Sequence, residues 1–159
     1  MRPVCPCGCP GVVHRHGCYE RYADPEGADR EQVQRYLCYP CGLTFSVLLP
    51  HRLPYRPVRA ERLEADFDQR AGIPTRGLDP PPRAVEADCL QRAWNALTER
   101  VTTLKEAFGQ LVDSTVSEVT SLWVGLRRSQ DSVSKMLCFL AQHHFISLLG
   151  DYRCLRPPA

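Results

Sequence analysis

The residues most able to do chemistry in this sequence are its nine cysteines. Cys5, Cys7 and Cys9 stand together in V-C-P-C-G-C-P-G, and Cys38 and Cys41 in R-Y-L-C-Y-P-C-G-L-T-F-S. A pair of thiolates from each cluster would put four sulfurs around one ion. Tetrahedral zinc takes that ligand set, and cysteines two to four residues apart are its usual sequence form. The second pair has the regular spacing: two intervening residues let the sulfurs of Cys38 and Cys41 face one ion. Gly42 follows, at a place where a positive φ is often required and only glycine takes it without strain. The first cluster is irregular. Cys5 with Cys9 is the preferred pair, because one intervening residue makes a cramped chelate. Cys7, followed by Gly8, is the rival to Cys9. His14, His16 and Cys18 stand behind these. The expected ligand set is Cys5, Cys9, Cys38 and Cys41 around one structural Zn2+.

Such ligands need strands and turns to hold them. Val33, Arg35 and Leu37 alternate with Gln34 and Tyr36, which predicts a strand entering the Cys38 turn. Leu43, Phe45 and Val47 alternate again on leaving it. Strand, C-x-x-C-G turn and strand make the second half of a zinc ribbon. Gly11 to His16 predicts the first strand, with Tyr19 and Tyr22 on the next. Asp24-Pro25-Glu26-Gly27-Ala28-Asp29 is a turn by composition, at the ribbon tip far from the metal. One ribbon face would then present Arg15, His16, Tyr19, Arg21, Arg35 and Tyr36. Arginine beside aromatic residues can hold phosphates and stack on bases. Tyr36 and Phe45 read first as the small core a ribbon needs. For Arg15, Arg21 and Arg35, phosphate contact and plain solvated surface both stay open.

These motifs resemble a family. Cys5-Pro6 and Cys9, then Arg15-His16-Gly17, Tyr19 and Arg21, then Arg35-Tyr36, Cys38, Cys41-Gly42 and Thr44-Phe45-Ser46 resemble the N-terminal zinc ribbon of bacterial insertion-sequence transposases and short transposase-like proteins. Leu53-Pro54-Tyr55-Arg56 is similar to the run that follows the ribbon there. The similarity spans about a third of the chain, and its first half departs from the usual C-x-x-C. It implies DNA as partner, a bacterial source and a cytoplasmic setting. In such proteins a helix-turn-helix commonly follows. Here Gly72-Ile73-Pro74-Thr75-Arg76 and Arg92-Ala93-Trp94 resemble its remains, but the intervening prolines leave no room for a middle helix.

Composition sets the frame. The net charge is only +2, so the chain is no polycation, but 18 of its 20 basic residues are Arg. Arginine suits bidentate contacts to phosphate and guanine, and a GC-rich genome would give the same bias. Nine cysteines cannot all pair within one chain. Met1-Arg2-Pro3-Val4 leads into Cys5 with no apolar run, so metal-bound thiolates in a reducing compartment are expected rather than disulfides. No apolar stretch approaches the roughly 18 residues of a membrane span. Residues 47–57 carry three prolines and read as an extended connector. Arg52, Arg56 and Arg59 make it basic, with no acidic residue between Glu31 and Glu61. Such an arm could lie along a phosphate backbone, or pack on the next helix through Leu53 and Tyr55.

From Val58 the character becomes helical. Leu63 and Phe67 predict a short amphipathic helix ending at Gly72, before a proline-rich break at 73–82. Leu90, Trp94, Leu97, Val101, Leu104, Phe108 and Leu111 step by four and three, a heptad seam on one long helix. Stripes from Val116 to Leu126 and from Val133 to Leu149 predict two shorter helices, the last stopped by Gly150. The first use of the seam is an antiparallel bundle; the second is a homodimer, which would set two ribbons on one nucleic-acid site. The expected architecture is α+β: a small antiparallel zinc ribbon at 1–49, a proline-rich basic connector with one short helix at 50–82, a helical bundle at 83–150, and a tail at 151–159.

Transposases of this kind cut DNA with spaced carboxylates that hold magnesium in a large α/β domain. The helical remainder offers no alternating strands for such a sheet. Glu61, Glu64, Asp66, Asp68, Glu86 and Asp88 read as helix faces and caps. The chain is therefore expected to be a non-enzyme with no small-molecule substrate and no membrane association. It reads as a transposase-like DNA-binding protein without the nuclease, contacting nucleic acid through Arg15, His16, Tyr19, Arg21, Arg35, Arg52 and Arg56. The rival reading is a protein–protein adaptor with a structural zinc and a helical partner surface. A decayed transposase relative is a third.

Overall fold

A computed structural model describes residues 3–5, 8, 12–49, 51–54, 56–113, 115, 117–144 and 146–150. The fold is α+β, with a small antiparallel sheet followed by helices. Strands β1 (Val13–Tyr22), β2 (Arg30–Cys38) and β3 (Thr44–Ser46) form the sheet in the order β1-β2-β3. The sequence predicts two strands before the acidic turn, and the structure has one. Gly17, at φ 89°, lets β1 run through a bulge between Arg15 and Cys18 instead of turning back. The bulge sets two residues against one and so changes which side chains share a face.

The connector is a second, two-stranded sheet of β4 (Arg52–Leu53) and β5 (Arg56–Arg59). Leu53 and Val58 are fully buried in the helical core, as a strap packed on the helices would be. Tyr55 lies outside the described residues. Helix α1 (Ala60–Arg70) follows at once, ending as predicted before Gly72, whose φ is 71°. Leu63 and Phe67 face inward on it. Phe67 meets Trp94 and Trp123 edge-on, at centroid distances of 4.9 and 5.0 Å. The connector helix is thus part of the bundle core and not a separate linker.

The seam does not lie on one long helix. Helix α2 (Ala84–Glu99) ends at Arg100, whose φ of −107° and ψ of 9° leave the helical region, and α3 (Val101–Phe108) restarts immediately. The β-branched run Val101-Thr102-Thr103 is a poor continuation of a helix. At the break the Arg100 guanidinium donates to the Ser147 carbonyl at 3.3 Å. After α3, Gly109 (φ 53°) starts a short 3-10 turn, Gly109–Leu111. Leu111 is thereby turned out to 52% exposure, and Val112 is buried in its place. Helices α4 (Val119–Ser129) and α5 (Val133–His143) complete the bundle. Leu90, Leu97 and Leu104 are fully buried against them. The bulk of the seam is buried within the chain.

Two polar joints fix the helices. Asp68, 6% exposed, accepts from the Trp123 indole at 2.7 Å and from Arg127 Nε at 3.0 Å. Glu64 takes Arg127 at 3.1 Å and accepts the backbone N–H of Val133 at 2.9 Å, capping α5 from another helix. Arg62 holds Glu86 by two bonds, of 2.8 and 2.6 Å, and donates to the Pro80 carbonyl, clamping the proline-rich segment between α1 and α2. The Glu86 hydrogen bonds raise the Arg62 pKa above its ordinary value.

Candidate metal centre

Cys5 meets Cys38 and Cys41 where β1 begins and β2 ends. Val13 of β1 pairs with Cys38, the last residue of β2. Beyond Cys38 the chain turns sharply: the Gly42 N–H donates to the Cys38 carbonyl at 2.8 Å, and the Cys38 N–H to the Leu43 carbonyl at 2.9 Å. Gly42 has φ 68°, as the C-x-x-C-G spacing predicts. A second turn faces it. The Gly8 N–H donates to the Cys5 carbonyl at 3.0 Å, with Gly8 at φ 71°. The same kind of glycine thus closes both turns.

The sulfurs of Cys5, Cys38 and Cys41 lie within 4.8 Å of one another. Cys5 Sγ and Cys41 Sγ are 3.6 Å apart. That is far beyond a disulfide, about 2.05 Å. It matches the edge of a tetrahedron with Zn–S bonds of about 2.3 Å, roughly 3.8 Å. Cys5 and Cys38 are buried and Cys41 is exposed. The group can hold a metal ion. Cys7 and Cys9, the two candidates for a fourth thiolate, lie outside the described residues. Cys18 is exposed and pairs with Gln34, four residues along β2 from Cys38 and therefore about 14 Å away.

The ribbon has little else to fold around. Its buried cluster is Cys5, Val13, Cys38 and Phe45, with Tyr36 and Val47 packed against it. Tyr36 and Phe45 are cross-strand partners with stacked rings 5.8 Å apart, so both serve as core. Two of the four members of that cluster are cysteines of the candidate site. For a sheet with so small an apolar core, a metal held by these cysteines would add to stability.

The candidate nucleic-acid residues are not on one face. Directly paired residues share a face, so Arg15 and Tyr36 lie together, while Tyr19 with Val33 and Arg21 with Glu31 lie on the other. Arg35, paired with Ser46, belongs to that second face, and His16 sits in the bulge. Arg15, His16, Tyr19 and Arg35 are exposed. Arg21 and Arg52, by contrast, are largely buried and engaged within the protein. The Arg52 side chain is 5% exposed, lies 2.7 Å from Glu31 and donates to the Ala23 carbonyl. Arg21, 13% exposed, donates to the carbonyls of Leu53 and Arg56 and lies 3.8 Å from Glu31. These arginines bind the ribbon to the connector. Arg56 is half-buried, its carbonyl taken by Arg21.

Glu31 is the residue that sequence reasoning missed. The connector looks uncompensated because no acid lies near it in the chain, yet strand pairing carries Glu31 back beside Arg21 and Arg52. Glu26, in the tip turn, is a second such case. It accepts the Val85 N–H at 3.1 Å, capping α2 from the ribbon, and lies 3.5 Å from Arg83. Neither contact leaves a local signal in the sequence. No family model, curated protein or solved structure matches the chain.

Proposed function

We propose that this chain is a zinc-ribbon DNA-binding protein, transposase-like and without a nuclease domain. In it, zinc held by Cys5, Cys38, Cys41 and a fourth thiolate from Cys9 or Cys7 organises the β1–β2 hairpin. Zinc fits an all-sulfur, tetrahedral, partly buried site and is the usual occupant of ribbons with such cysteine spacing, though iron takes the same ligand set. The metal's part is structural, so the chain's own residues would make the contacts. Arg15 and Arg35 carry the reading: both are exposed, and among the described residues neither has an ion-pair partner. They flank the bulge with His16 and Tyr19 beside them. Guanidinium groups left free on two sides of a narrow hairpin can each take a phosphate while Tyr19 packs on sugar or base.

The adaptor reading loses the surface first assigned to it, because the seam is buried. What favours it instead is the metal end of the ribbon, where Val4, Tyr39 and Leu43 are exposed at 73%, 72% and 37%.

The deciding experiment measures zinc per chain, then binding to a mixed-sequence duplex across a salt series. One zinc is expected, with affinity falling as salt rises. Arg15→Ala and Arg35→Ala should each lower the slope of log K against log salt by about 0.9. Affinity independent of salt, or unchanged slopes in both variants, refutes the nucleic-acid role.

A further inference from the structure

The cysteine cluster has an asymmetry that a purely structural site does not need. Cys38 is fully buried and Cys5 is 3% exposed, while Cys41 is an exposed residue. The Cys41 sulfur lies 3.6 Å from that of the buried Cys5. One thiolate is therefore placed to meet an oxidant and a second to resolve it, with no barrier of intervening side chain at that distance. Resting on the reading of this cluster as a metal site, we infer that the ribbon is a peroxide-sensitive switch in which Cys41 and Cys5 join and the metal is released.

The chemistry balances with hydrogen peroxide as oxidant. The Cys41 thiolate attacks one peroxide oxygen; an S–O bond forms, the O–O bond breaks, and hydroxide leaves to become water with a solvent proton. The Cys5 thiolate then attacks the Cys41 sulfur. An S–S bond forms, the S–O bond breaks, and a second hydroxide leaves as water. Two thiolates lose one electron each and the peroxide gains two. The sulfurs close from 3.6 Å to about 2.05 Å. Resolution by a neighbour this close competes with further oxidation of Cys41 to the sulfinic acid, which is irreversible. Two thiolate ligands are spent, and a site left with half its sulfurs no longer holds zinc.

The consequence reaches the proposed binding surface through strand register. Cys38 pairs with Val13, and Arg15 pairs with Tyr36 two residues further on. Cys5 and Cys38 also belong to the four-residue core under Tyr36. Loss of the metal slackens the hairpin end that fixes Arg15 and Arg35.

The test uses the full zinc-loaded chain and, beside it, the Cys18→Ser variant, which removes an exposed thiol remote from the cluster. Zinc is counted first, hydrogen peroxide is added, released zinc is followed with a chromogenic chelator, and disulfides are mapped after free thiols are trapped. The inference expects full release of the bound zinc in both proteins, a Cys5–Cys41 link, and recovery with dithiothreitol plus zinc. Zinc retained while Cys18 is oxidised in the parent overturns the switch and leaves the metal site standing. So does release with Cys41 linked to any cysteine other than Cys5, or release that reductant does not reverse. Protein that holds no zinc before peroxide overturns the metal site itself, and the switch with it.

Discussion

Arg52 of the connector is buried against Glu31, whereas Arg35 of the ribbon is exposed. Replacing Arg52 by alanine removes a side chain that is 5% exposed and paired with Glu31 at 2.7 Å. Breaking a buried pair by deleting one partner costs roughly 3–5 kcal/mol, because the other charge stays behind. Here the cost sits at the lower end. Glu31 is itself 21% exposed, and Arg21 remains 3.8 Å away to share its charge. The Ala23 carbonyl also loses its donor, at about 1 kcal/mol. About 4 kcal/mol in all is expected for Arg52→Ala, against within about 0.5 kcal/mol for the exposed Arg35→Ala. Urea unfolding of the zinc-loaded protein, followed by helical circular dichroism, reads both. Duplex binding at a temperature where both variants are folded should show the reverse order: Arg35→Ala weakened and less salt-dependent, Arg52→Ala like the parent. A loss below 1 kcal/mol for Arg52→Ala would refute the burial argument. A lowered salt slope in the same variant would return Arg52 to the binding surface.

Three further outcomes follow from the same contacts. Asp68→Ala strands the fully buried Trp123 indole N–H and should cost about 3 kcal/mol; adding Trp123→Phe should recover part of that, since an apolar pair carries no unmet donor. Chelation of the metal should collapse the ribbon while most helical signal persists, because the helical core, from Leu53 to Leu149, contains none of the three site cysteines. Acidification should act on Asp131, whose pKa is lowered by its hydrogen bond from Lys135. A depressed folded pKa gives stability that is present above the ordinary carboxylate value and lost as pH falls through the folded one. The parent should thus exceed Asp131→Asn in urea midpoint at neutral pH, with the gap closing on acidification below about pH 4. A gap independent of pH would remove the charge from the explanation.

How much was legible in advance differs by element, for physical reasons. The metal turn could be read because its requirements are local. Two sulfurs must face one ion and the next residue must take positive φ, and Cys38, Cys41 and Gly42 are all within five positions. Helices could be located from apolar period, since that period is the burial pattern itself. Their ends were harder. The seam steps unbroken through Arg100, and only the departure of that residue's backbone, with its guanidinium on the Ser147 carbonyl, divides α2 from α3. Two things divide the ribbon residues between faces: the bulge at His16-Gly17 reverses the alternation after it on β1, moving Tyr19 and Arg21 away from Arg15, and Arg35 and Tyr36, adjacent on β2, point opposite ways in any register.

The sequence alone therefore determined the thiolate turn, the apolar stripes, the class of fold and the surplus of arginine. These depend on residue type and short spacing, which survive in one dimension. Which arginines are left to act was decided only in three dimensions. Arg21 and Arg52 share the single carboxylate of Glu31, and α2 is capped by Glu26, through contacts that span the β1–β2 hairpin and the connector. The 3.6 Å approach of Cys5 to Cys41 likewise exists only once the chain is folded. Charge and reactivity are properties of a neighbourhood, and the chain acquires its neighbourhoods by folding.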